Sequence, residues 1–379
     1  MDFKLNDDQR QLSQSLTRLL DDHGGFEQRR AVAATEPGWS PDLWRRLAEL
    51  GVTALGIPES CGGLGGSAVD RLPVMQACGR ALLLEPYLAS AVLGTTAVAA
   101  GATAAQKDVL LPRMAGGELL LAWAHDEAPG RHAPLWVETL ARRDGNRWQL
   151  DGIKACVLHA AAASRLVVSA RIHGLADDAD GTALFLVDAD DPGVRLRSYR
   201  LLDDTPAGDL TLSGAIAQPL VDPTDSAHAA AAIRATVSAG TAAVCADMVG
   251  TMELAFELTK SYVGMRKQFG RLIGEYQAVR HRVAEMAVGL EMARSMAIAA
   301  AIAADDESAP DAATDLPRAK LVIGRQARAL CQTAIQLHGG IGMTEEYAVG
   351  HCLRRIHVLD HLFGDVDAQA ARLARSTPH

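Results

Sequence analysis

Residues Gln336 to Asp365 read QLHGGIGMTEEYAVGHCLRRIHVLDHLFGD. The paired glycines Gly339 and Gly340 carry no Cβ, so a ligand can come close to the backbone there. The same pair also suits the end of a helix. Gln336, just before them, can both donate and accept hydrogen bonds. Glu345-Glu346 are placed to stabilise the first turn of the helix that follows. Arg354 and Arg355 are expected to form ion pairs at a helix–helix contact. His351, His357 and His361 are unevenly spaced and lack a carboxylate pattern that would make them metal ligands, so no metal site is expected. The segment closes on an aromatic residue before a glycine, Phe363-Gly364, with Asp360 about one helical turn earlier and Asp365 two residues later.

Outward from this segment, the chain of 379 residues is long enough for two or three packed units. Half of it is apolar (49%), aromatics make up only 4%, and alanine-rich runs recur, which favours a mostly helical protein. A net charge of -9 argues against nucleic-acid binding, which needs a basic face. It leaves an anionic small molecule open, because a few local arginines can decide that. Cys61, Cys78, Cys156, Cys245, Cys331 and Cys352 form no C-x-x-C pair and read as buried, reduced thiols. Met1 to Asp8 lack the apolar centre of a secretory signal, and no apolar run reaches the about 18–20 residues of a membrane span. A cytoplasmic protein is expected.

The pattern divides the chain into three. Residues 1–117 read as helices: Asn6 or Asp7 can cap a first helix carrying Leu12, Leu16, Leu19 and Leu20 at helical spacing. Trp44, Leu47 and Leu50 share one face of another, with Gly51 as its C-cap. Residues 118–224 carry short apolar runs of β type: Leu119–Trp123, Leu135–Leu140, Arg147–Leu150, Leu166–Ser169 and Ala183–Val187. Turn signals such as Asp144-Gly145-Asn146 separate them, which suggests a β-barrel-like domain. Residues 225–379 return to long helices, broken between Gly264 and Gly270 and by the polar loop Asp305 to Asp311. The expected fold class is α+β: an N-terminal helical domain, a middle β-barrel-like domain and a C-terminal helical bundle.

A second motif, Arg266-Lys267-Gln268-Phe269-Gly270 with Gln277 shortly after, falls at the break between long helices. Together with Gln336 to Gly342, with Gly51-Val52, Ile57-Pro58-Glu59 and Gly62-Gly63, and with the α–β–α order, it resembles the acyl-CoA dehydrogenase family over nearly the whole chain. The resemblance implies that family's fold, FAD as cofactor, an acyl-CoA substrate and an electron-transfer flavoprotein as electron acceptor. It implies that Arg266, Gln268, Phe269, Gln277, Gln336, Gly339 and Gly340 contact the ADP half of FAD. A guanidinium can meet the pyrophosphate with a fork of donors. In that family these residues reach a flavin held mainly by the neighbouring subunit, so an oligomer is implied.

The same resemblance exposes departures. The chemistry needs a carboxylate to remove the α-proton of a thioester while flavin N5 accepts the β-hydrogen. Most members place that glutamate where this chain has Phe363. A minority place it where this chain has Gly240, beside Thr241 in place of an arginine. In the β domain the family's T-E-…-G-S-D becomes Asp126-Glu127-…-His132-Ala133, and its W-I-T becomes Cys156-Val157-Leu158. The residues that would cradle this subunit's own isoalloxazine are changed, and those that would reach a neighbour's flavin are kept. Four readings stay open: a base-lacking subunit of a heteromeric acyl-CoA dehydrogenase, as in bacterial steroid breakdown; a self-sufficient enzyme with Asp360 or Asp365 as base; a flavin-dependent monooxygenase of the same fold; or a binding protein that keeps the fold for assembly.

Overall fold

The computed structural model describes residues 7–145, 147–178, 180–306 and 311–376. Asn6, Asn146 and Glu307 to Pro310 lie outside the described residues. The helices are α1 (Asp7–His23), α2 (Phe26–Ala33), α3 (Pro41–Glu49), α4 (Ala68–Ala81), α5 (Thr95–Gly101), α6 (Ala104–Ala115), α7 (Ser226–Met265), α8 (Gln277–Asp305), α9 (Ala312–His338), α10 (Ala348–His361) and α11 (Val366–Ser376). Between α6 and α7 run β1 (Leu121–Ala124), β2 (Leu140–Asp144), β3 (Arg147–Leu158), β4 (Arg165–Arg171), β5 (Thr182–Asp188), β6 (Val194–Arg200) and β7 (Pro206–Pro219). A two-stranded hairpin, β8 (Lys267–Gln268) and β9 (Arg271–Leu272), separates α7 from α8. The helical, β and helical order and the barrel are as the sequence leads one to expect.

Two compact units result, one of residues 31–67 and 84–240, the other of residues 7–30, 68–83 and 241–376. In the first, Ser40 Oγ accepts from Leu43 N at 3.2 Å and Pro41 opens α3, so the helix starts where its apolar face begins. Leu43, Trp44 and Leu47 are buried, and Gly51 at φ 85 follows the helix end. The sheet closes on itself through β4–β2–β3–β7–β5 and back to β4, with β1 added to β4 and β6 to β7. Leu150, Val157, Leu166, Val168, Phe185, Leu210 and Leu212 fill its interior.

The strand expectations need correcting in two places. Leu135 to Thr139 are irregular, and β2 begins only at Leu140. Side chains satisfy this backbone in place of a strand neighbour: Glu127 accepts from Glu138 N and Thr139 N, and Arg171 Nε donates to Val137 O. The apolar pattern also gives no sign of β6 and β7. The first is an exposed edge carrying three arginines, and the second is interrupted by Gly208 and Gly214, so neither shows a plain apolar run.

In the helical unit, α4 and α7 cross at close range. A Cβ on Gly79 would lie 2.0 Å from Asp247 O, and one on Gly250 would lie 1.9 Å from Gln76 O, so only glycine fits at the crossing. Asp247 is buried there and accepts a fork from Arg355 of α10, at 3.2 and 2.5 Å. Arg355 thus makes the expected helix–helix ion pair. Arg354 instead reaches Glu345, in the turn just before its own helix, at 2.6 Å, so its expected helix–helix ion pair is replaced by a local one. Two helices, α7 and α8, are long and apolar enough by composition to cross a membrane, although no uninterrupted apolar run does so. Their apolar windows are 67% and 44% buried within the protein, so α7 packs as a core helix. Four of the six free cysteines are buried; Cys61 and Cys156 are half-buried.

Candidate functional site

The end of α7 and the end of α9 lie side by side. The ring of Tyr262 stacks on His338 with centroids 4.5 Å apart, and His338 meets Tyr347 at 5.0 Å. Arg266 follows Tyr262 by one turn, and Gln336 precedes His338 by two residues. One rim of the bundle therefore carries Arg266, the hairpin to Leu272, Gln277 at the start of α8, and Gln336 to Gly340. Arg266, Gln268, Phe269, Gln277, Gln336, Gly339 and Gly340 are all exposed.

Three features of this rim bear on ligand contact. Among the described residues none forms an ion pair with Arg266, so its guanidinium is available. Phe269 is 92% exposed and has φ 51, a combination that a phenylalanine adopts at a cost. Gly339 ends α9 at φ 64 and ψ -140, and a Cβ on Gly339 or Gly340 would meet nothing within 4 Å. The glycine pair is thus both a helix end and an open surface. A free cation, an exposed ring and bare backbone on one rim can receive an anionic ligand.

The turn that carries Phe363 is held from beneath. Lys320 of α9 is fully buried and donates from Nζ to Leu359 O, Asp360 O and Gly364 O at 3.0, 2.8 and 3.3 Å. Gln369 Nε2 donates to Phe363 O at 2.9 Å and to Gly364 O at 3.1 Å. Phe363 itself is half-buried at φ 59. Neither neighbouring aspartate is a ready base. Asp360 is 1% exposed and its Oδ2 meets Arg328 Nη2 at 2.6 Å, which commits it to an ion pair. Asp365 accepts from Ala368 N at 2.8 Å and caps α11. In the other unit Gly240 is buried inside α7 and offers no side chain.

The β domain spends its retained motif residues internally. Lys154 is fully buried, and its Nζ donates to Glu127 Oε1 at 2.6 Å, Ser169 Oγ at 2.9 Å and His125 O at 3.1 Å. Burial pushes the Glu127 carboxyl up, but Lys154 and Thr139 outweigh it and hold it below its usual range. His125 links Ser169 Oγ at 2.8 Å to Pro134 O at 2.9 Å, which makes Nε2 the donor to Pro134, and burial lowers the pKa of the ring. Glu127 therefore anchors the loop rather than facing a ligand.

Cys156 sits at φ 53 in a bulge of β3, and its N–H donates to Asp209 Oδ1 at 3.1 Å. Tyr199 and Arg197 converge on the same carboxylate at 2.7 and 2.6 Å. Burial and the nearby Asp126 push the Cys156 thiol up to about 11, so it is a neutral thiol. Leu158 is buried and offers no hydroxyl. These positions present a thiol, an isobutyl group and carboxylates where a flavin ring would need a planar cover and a hydrogen-bond donor. Sequence reasoning missed Asp209, Lys320 and Gln369; none stands in a motif, and only their three-dimensional partners reveal them.

Comparison with known proteins gives the family. Sequence models of the acyl-CoA dehydrogenase N-terminal, middle and C-terminal domains match residues 6–118, 127–214 and 230–377. The acyl-CoA dehydrogenase FadE27 of Mycobacterium tuberculosis is 26% identical over 99% of this chain and 98% of its own. Among solved structures, a variant of the Tcur3481-Tcur3483 steroid ACAD is 29% identical with a TM-score of 0.86, covering 97% of both chains. The ChsE4-ChsE5 complex of Mycobacterium tuberculosis, 24% identical, shares the fold with a TM-score of 0.87 over 100% of both chains. With three family domains in order across the chain, the protein belongs to the acyl-CoA dehydrogenase family and is an FAD-dependent flavoprotein of the type that acts on acyl-CoA.

Proposed function

We propose that this chain is the base-lacking subunit of a heteromeric acyl-CoA dehydrogenase and that its bundle rim completes the FAD site of a base-bearing partner. One contrast carries the reading. The residues that would touch FAD from outside are exposed and available, while those that would serve the chain's own active site are absent or engaged elsewhere. Phe363 and Gly240 supply no carboxylate, and Asp360 and Asp365 are tied to Arg328 and Ala368 N. The similarity to the Tcur3481-Tcur3483 steroid ACAD supports both a two-component assembly and a steroid-derived acyl-CoA.

In this assembly Arg266 would hold the pyrophosphate, and the open backbone at Gly339 and Gly340 would admit the dinucleotide close to the rim. FAD, when bound, supplies the acceptor for the β-hydrogen of the thioester. The carboxylate for the α-proton would come from the partner, and an electron-transfer flavoprotein would be the electron acceptor.

Purification of the chain alone and after co-expression with a base-bearing acyl-CoA dehydrogenase tests the reading. Flavin is counted per assembly, and acyl-CoA turnover is measured. The expected result is little flavin and no turnover alone, and both in the assembly, with loss of flavin on Arg266→Ala. Robust turnover by the single chain would sink the proposal.

A further inference from the structure

The hairpin on the bundle rim has almost no core of its own. Each strand is two residues long, and Met265 through Arg271 are exposed. Its loop is Phe269-Gly270, with φ values of 51 and 84. Two positive φ angles in a two-residue loop are the pattern of a type I′ turn, which favours Asn-Gly. A phenylalanine at the first position works against that conformation. The hairpin's shape therefore has to be imposed from outside the turn.

Tyr276, the last residue before α8, makes two such contacts. Its hydroxyl donates to Gln268 O at 3.2 Å, which ties it to β8. The Arg271 guanidinium lies 3.9 Å from the centre of its ring, which ties it to β9. At the hairpin base, Ile273 N donates to Arg266 O at 2.8 Å. One side chain thus holds both strands, and its backbone leads directly into Gln277.

We propose that Tyr276 is a positioning residue for the FAD-contact rim: by bracing both strands it presents Arg266 and Phe269 to the dinucleotide as one preformed surface. The inference rests on the reading that this rim meets FAD. The two contacts have separable chemistry. Tyr276→Phe keeps the ring under Arg271 and removes the bond to Gln268 O; Tyr276→Leu removes both.

The test uses the co-expressed assembly stripped of flavin. FAD is titrated back, and amide hydrogen exchange is followed across Lys267 to Leu272. Arg266→Ala reports on the rim itself. Arg266→Ala and Tyr276→Leu are each expected to weaken FAD binding about tenfold, and Tyr276→Phe by about threefold. Tyr276→Leu should also speed exchange in the hairpin while moving Tm by less than about 2 °C. If Arg266→Ala weakens FAD and Tyr276→Leu does not, the brace is overturned and the rim stands. If neither weakens FAD, the rim reading fails and the brace falls with it. Should Tyr276→Leu lower Tm broadly, Tyr276→Phe decides: faster hairpin exchange with weaker FAD binding supports the brace, and unchanged values overturn it.

Discussion

Replacing Lys154 with methionine removes one ammonium from the floor of the β domain and leaves its partner behind. Glu127 then sits with a side chain only 3% exposed and no opposing charge. Three donors remain on it: Glu138 N at 2.6 Å, Thr139 Oγ1 at 2.7 Å and Thr139 N at 3.0 Å. Breaking a buried pair by removing one partner costs about 3–5 kcal/mol, and the three surviving donors place Lys154→Met near the lower end, at about 3 kcal/mol. Adding Glu127→Gln removes the stranded charge, so the double variant should recover about 2 kcal/mol of that loss. Urea unfolding of the four proteins near neutral pH measures the cycle. Additive losses, or a cost for Lys154→Met below about 1 kcal/mol, would refute the reasoning that Glu127 is kept for the loop anchor. The pH dependence has a defined sign. The Glu127 carboxyl is held below its unfolded value, so its contribution is full above about pH 4.3 and is lost as pH falls through the folded value.

Burial lowers the pKa of His125, His338, His351 and His357, so all four should be neutral in the fold and take up protons more readily when unfolded. Their combined contribution is present above about pH 6.5 and falls with acidification, so the urea midpoint should drop between about pH 7.5 and 5.5; a flat or rising midpoint contradicts this. Phe269→Asn supplies the residue a type I′ turn prefers and should slow hairpin amide exchange, by about 1 kcal/mol of local stability, while weakening FAD binding in the assembly. Exchange that speeds up would show that the exposed ring supports the turn. Asp365→Ala should cost about 1 kcal/mol through the lost cap of α11 and Asp365→Asn very little, with assembly turnover unchanged in both. Loss of turnover in Asp365→Asn would revive that aspartate as a base.

The order of helices, barrel and helices was legible because apolar spacing and glycine punctuation change period near Gly117 and again near Ala227. Trp44, Leu47 and Gly51 announced α3 and its end for the same reason. The edge strand from Val194 to Arg200 was not legible, because its arginines face water and leave no alternation to read. The stretch before Leu140 misled in the opposite way: it is apolar, yet Glu127 and Arg171 take up its backbone groups. At the site, the positions of Arg266, Gln336 and the two glycines could be named from motifs, but their convergence depends on the stacking of His338 on Tyr262, which no motif marks. The fate of Asp360 was hidden too, because its partner Arg328 lies thirty-two positions away on another helix.

The grip of Lys320 and Gln369 on the turn before α11 has an evolutionary consequence. Both groups bind carbonyl oxygens of residues 359, 360, 363 and 364 and never the side chain at 363. The identity of that side chain is therefore uncoupled from the architecture that presents it. A lineage could exchange glutamate for phenylalanine there in few steps without rebuilding the bundle, and could exchange it back. On the proposed reading, a subunit could lose or regain a carboxylate at this position while the bundle beneath it stays intact.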